Sequence, residues 1–154
     1  MRLFLASMAV LCVPAISADA QSLCGAWKPV EVVIRKGADL ERHTTDVQPG
    51  LMVFTQNYYV GIAVRGFEPR VPLSAQPTVE ERGRAFTEFT ANAGTYRLRD
   101  STFTVTPIVA KNPGTMAGES YTDRIRVVAD TLWFISTSGD RQNKWVRIER
   151  SCVR

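Results

Sequence analysis

Residues 93–113 read AGTYRLRDSTFTVTPIVAKNP, and this stretch decides the fold class. Gly94-Thr95-Tyr96-Arg97-Leu98 opens a strand, and Arg99-Asp100-Ser101 supplies a turn. Short polar side chains favour turns because they bond their own backbone and tolerate unusual dihedrals. Thr102 to Pro107 then alternates threonine with Phe103 and Val105. Successive side chains of an extended chain point to opposite faces, so this period of two describes a strand with one apolar face. Asn112-Pro113-Gly114 turns the chain out of the unit.

The same grammar extends in both directions. Upstream, Gly25-Ala26-Trp27 opens a strand that runs on through Val30, Val32 and Ile34. Pro29 has no N–H for a ladder, so it requires a strand start or an unpaired position. Lys36 to Asp46 is polar, contains the single histidine, His43, and reads as a loop. Leu51 to Thr55 and Tyr58 to Val64 form a hairpin around Gln56-Asn57. In its second strand, Tyr58, Val60, Ile62 and Val64 share the bulkier face, opposite Tyr59, Gly61 and Ala63. Three prolines, Pro69, Pro72 and Pro77, mark an irregular crossing. Thr78 and Glu81 form a capping box for a helix whose apolar face carries Val79, Phe86, Phe89 and Ala93, with Gly94 as its stop. That face is expected to pack on the sheet. Downstream, Ser120 to Ala129, Thr131 to Ser136 and Lys144 to Glu149 complete the strands.

Eight short strands with hairpin connections and one short helix inserted midway predict a mainly β fold, an antiparallel sandwich or barrel. The cysteines favour the barrel. Arg2, an apolar run from Leu3 to Ile16 and Ala18-Asp19-Ala20 have the pattern of a secretory signal peptide over residues 1–20. The domain then spans 21–154, in the periplasm or outside the cell. Cleavage would remove Cys12 and leave Cys24 and Cys152 in an oxidising compartment, where a disulfide is the natural pairing and two free thiols the alternative. Such a bridge requires the first and last strands to lie within disulfide reach, which a closed eight-stranded up-and-down barrel provides. Closure also removes the sheet edges that would otherwise pair with other chains.

The ordered series Gly25-Ala26-Trp27, Gln48-Pro49-Gly50-Leu51-Met52-Val53-Phe54-Thr55, Ala93-Gly94-Thr95-Tyr96, Pro107 to Pro113 and Asp130-Thr131-Leu132-Trp133 resembles the bacterial lipocalin-like domain family, small calycin-type barrels. The resemblance spans nearly all of the chain after the signal. It implies an up-and-down barrel around a small hydrophobic ligand, with no catalytic constellation to carry over. Many family members have a histidine in the strand after the tight turn; the matching position here is Val105.

The residues themselves set the chemistry. One histidine excludes a multi-histidine metal site, and no phosphate-cradling glycine loop or nucleophile elbow is present. No catalytic residue or cofactor is expected. The net charge of +4 is scattered rather than clustered, which argues against a nucleic-acid partner. After signal cleavage nothing remains to insert stably in a membrane. The expected partner is a small apolar molecule, and a protein partner is left open. Trp27, Tyr58, Phe103, Tyr121 and Trp133 are the candidate pocket lining if they point inward; the competing expectation is a core filled completely by side chains. Asp123 shares a face with Tyr121, Ile125 and Val127, so its charge belongs at the barrel mouth or in the pocket. The alternatives are an isomerase- or cyclase-type enzyme using Asp123 or a tyrosine, and a protease-inhibitor-like barrel. The few residues before Cys24 leave such an inhibitor little N-terminal arm.

Overall fold

The computed structural model describes residues 23–116 and 120–152; the expected signal peptide lies outside them. Nine strands form one sheet: β1 Gly25–Lys36, β2 Asp39–His43, β3 Gly50–Phe54, β4 Tyr58–Val64, β5 Phe89–Arg99, β6 Thr102–Ala110, β7 Tyr121–Val128, β8 Thr131–Ile135 and β9 Arg141–Glu149. All pairings are antiparallel. Each strand from β3 to β9 pairs with the next, β1 pairs with β3, and β1 with β9 closes the ring. The eight-stranded up-and-down barrel expected from the sequence is therefore the architecture observed.

The ninth strand corrects the sequence reading. β2 folds back on the second half of β1, with Val32 opposite His43 and Lys36 opposite Asp39. Val32, Val33 and Ile34 pair with β9 on their other side, and only Arg35 and Lys36 run past the β1–β9 ladder. Ion pairs between Lys36 and Glu41 (2.8 Å) and between Arg42 and Glu31 (2.7 Å) lie along the β1–β2 hairpin. Charged, two-sided-polar strands lack the alternation that marks a half-buried one, so the segment reads as a loop. His43 is not a solvated loop residue either. Its ring stacks on Phe67 at 3.4 Å, and its Nδ1 lies 2.7 Å from the Asp46 carboxylate.

The helix needs two corrections. Its start is as expected: α1, Val79–Thr87, begins at Thr78 with both arms of the capping box formed. It ends seven residues before Gly94. Phe89–Arg99 is strand, with Phe89 opposite Val64 and Gly94 opposite Tyr59. Ladder bonds to β4 outweigh helix propensity there, because aromatic and β-branched residues favour a pleated surface. Gly94 instead serves a close approach. A Cβ at this position would sit 2.1 Å from the Thr106 carbonyl oxygen, at the bulge where β5 slips against β6. The apolar face of the helix also fails to pack on the sheet: Val79 is 82% and Phe86 53% exposed. A second short helix, α2, spans Pro113–Met116.

Pro29 meets the ladder requirement by lying at an irregularity in the β1–β9 register. The end of the barrel near the 55–57, 100–101 and 129–130 turns is filled. Trp27 is fully buried there; its Nε1 donates to the Leu23 carbonyl at 2.8 Å, and Arg147 lies over its ring at 4.1 Å. Arg147 also pairs with Asp130 at 3.0 Å. Phe54, Tyr96, Phe103, Phe134 and Trp145 follow as a chain of edge-on and tilted ring contacts 5.3–6.4 Å apart. Cys24 and Cys152 form a disulfide, with Cα atoms 5.0 Å apart across the β1–β9 seam.

Candidate functional site

The open half of the barrel is not filled. A cavity of about 200 Å³ is lined by Met52, Tyr59, Phe103, Val105, Phe134 and Trp145 at depth, with Asn92, Tyr121, Asp123 and Asn143 nearer the mouth. The cause is local. On β4 the inward positions are Tyr59, Gly61 and Ala63, and the last two carry almost no side chain. A Cβ on Gly61 would point between Met52 and Asn92, touching neither closer than 3.6 Å. The space is what these small residues leave over.

The candidate Tyr58 does not line this space. Tyr58 is 55% exposed and lies outside, whereas Tyr59 is 3% exposed and forms the wall. The inward face of β4 is the leaner one, with Gly61 and Ala63 beside the cavity. Trp133 is also outside. Its neighbours Leu132 and Phe134 occupy the interior, and its ring is covered by Arg126 at 4.1 Å with Lys144 at 5.9 Å. Trp27 points inward but is sealed in the closed end, away from the cavity. Of the six candidates, the structure brings Phe103, Tyr121 and Asp123 together around the space. Tyr59, Trp145, Asn92 and Asn143 were missed. The alternation of β9 carries Trp145, and its inward face could have been read; the asparagines have no sequence signal.

Two polar atoms in the wall lack partners. The Tyr59 hydroxyl and the Trp145 indole N–H are buried and make no hydrogen bond in the structure. Buried donors are almost always satisfied, and leaving one unmet costs about 1–3 kcal/mol. Burial pushes the Tyr59 pKa well above its usual value, with Tyr121 adding to the effect. Burial likewise raises Tyr121 and Asp123. Asp123 makes no ion pair among the described residues.

The cavity opens into two clefts. One, of about 350 Å³, shares Ala63, Thr90, Asn143 and Trp145 with it and is lined by Arg65 and Arg141. The other shares Thr90, Asn92, Asp123 and Asn143 and reaches Lys111. The Lys111 ammonium donates to the carbonyls of Phe86 and Phe89 and sits 4.0 Å from the Phe86 ring centre. The lysine thereby ties β6 to the end of α1 at the rim of this cleft.

No protein-family model and no curated protein matches the sequence. Two solved structures are similar in outline. A lipocalin-like protein from Bacteroides uniformis aligns at 12% identity over 82% of this chain and 99% of its own, with a TM-score of 0.48. An uncharacterized protein from Bacteroides eggerthii aligns at 8% identity over 81% of this chain and 98% of its own, with a TM-score of 0.46. Neither likeness is close enough to bear on function.

The architecture is lipocalin-like. It is a closed eight-stranded up-and-down barrel with one filled end and one open, hollow end. The disulfide of the lipocalin-like barrel fits an extracellular or periplasmic setting, where such bonds persist. No helix among the described residues is long and apolar enough to cross a membrane.

Proposed function

We propose that the protein is a secreted or periplasmic container that holds one small, mainly hydrophobic molecule in the open half of its barrel. The observation that carries this reading is the cavity of about 200 Å³ with apolar walls and two unmet buried donors. Burial of apolar ligand surface supplies the driving force, and the few polar groups orient the ligand. Native mass spectrometry of the protein purified from its own host tests it. The expected spectrum shows a retained small molecule that is lost in Gly61→Leu, a variant that fills the cavity. A barrel that is empty from its host and binds none of a panel of one-ring apolar compounds rejects the reading.

A second reading has one observation in its favour. Asp123 is a half-buried carboxyl in the cavity wall whose pKa is raised by burial, an arrangement suited to proton transfer. On this reading the container turns its ligand over by isomerisation or cyclisation. Asp123→Asn would then abolish turnover of the bound molecule while leaving its binding intact.

A further inference from the structure

We infer that the ligand of this barrel is a compact carboxylate bearing one ring, its oxyanion held between Arg65 and Arg141 and its ring in the deep cavity. This rests on the container reading and adds the ligand's charge and size.

The size follows from the volume. An apolar cavity of about 150 Å³ holds benzene. A space of about 200 Å³ at that depth therefore takes one ring, with its substituent continuing into the adjoining cleft. The walls at that depth are Met52, Phe103, Val105 and Phe134, which offer a ring only apolar surface.

The charge follows from the neighbouring cleft. Arg65 and Arg141 line it together, and no carboxylate shares that lining. Neither guanidinium has a carboxylate within ion-pair distance among the described residues. Asp140 attracts Arg141 without forming an ion pair with it, and its carboxylate is held by other donors. Asp140 accepts from the Ser136 and Ser138 hydroxyls at 2.6 Å each, and Glu88 lies beside Arg70 and Arg84. Two like charges facing one cleft repel unless an anion lies between them, and planar guanidinium groups match a carboxylate through paired hydrogen bonds. Arg141 Nε donates to Asn143 Oδ1 at 3.2 Å, which directs the guanidinium group along the wall shared by cleft and cavity.

The neck between the two compartments supplies an independent observation. Trp145 lines both and is 8% exposed, and its indole N–H is unpartnered. An indole nitrogen can only donate. The group that belongs beside it is an acceptor, and a carboxylate oxygen reaching in from the arginines is one.

Calorimetric titration with 3-phenylpropanoate and with its neutral amide tests the inference. The carboxylate should bind roughly tenfold more tightly at low salt, a modest figure because both arginines are solvent-exposed. In Arg65→Gln/Arg141→Gln that preference should vanish while amide binding is unchanged. Equal affinity of acid and amide for the wild type overturns the anion assignment and leaves the container standing. If neither compound binds, and one-ring neutral molecules also fail, the container reading falls and the inference falls with it.

Discussion

Removing the disulfide should lower stability greatly without opening the barrel. The bridge joins residues 128 apart in sequence, so it constrains nearly the whole domain in the unfolded state. In the chain-entropy account a loop of this length contributes about 5 kcal/mol, an upper figure. A domain of this size gains roughly 0.27 kcal/mol per kelvin in entropy on unfolding, so the loss corresponds to a Tm drop of roughly 15–20 °C. The ring should still close, because β1 pairs with β9 from Ala26 opposite Glu149 to Ile34 opposite Arg141 whether or not sulfur joins them. The assay is thermal unfolding of Cys24→Ala/Cys152→Ala followed by circular dichroism, beside the wild type with and without reductant. The expected variant has a native spectrum at 20 °C and a much lower midpoint. A midpoint within about 3 °C of the oxidised wild type would refute the reasoning, since the bridge would then constrain little. A variant without β structure would refute it from the other side, making the bridge, rather than the ladder, the closure.

Gly61→Leu should fill the cavity, remove binding of one-ring ligands measured by calorimetry, and leave the Tm unchanged or higher, because the added side chain has open space before it. Asp123 should make the fold less stable as pH rises: its pKa is raised in the folded state, so the folded protein holds the extra proton and loses that advantage as pH climbs from about 4 through the raised value. Denaturant midpoints from pH 3 to 7 should show this as a difference: the wild type loses stability relative to Asp123→Asn as pH rises, on top of the opposite contribution of carboxylates such as Glu81 and Asp140 whose pKa is lowered. Gly94→Ala should cost about 3 kcal/mol in urea unfolding, because its Cβ would collide with the Thr106 carbonyl in the neighbouring strand. Trp133→Ala should change stability by about 1 kcal/mol or less and leave ligand binding untouched, since the ring lies outside under Arg126.

The sequence alone determined the order and pairing of the eight barrel strands, the capped start of the helix, and the sulfur link between the ends. Each is set by neighbours in the chain or by a pair of residue types with one stable partner: alternation in Thr102 to Pro107, the Thr78 and Glu81 box, two cysteines. Tertiary structure alone decided which face of β4 looks inward, where the helix stops and where the cavity lies. Tyr58 and Tyr59 have the same side chain, and only closure of the ring, with Gly61 and Ala63 leaving a space behind Tyr59, distinguishes wall from surface. The helix stop at Thr87 depends on hydrogen bonds from Phe89 onward to a strand more than twenty residues upstream. A cavity is the volume that packing fails to fill, so it belongs to no stretch of chain and can be read only when all the strands are in place.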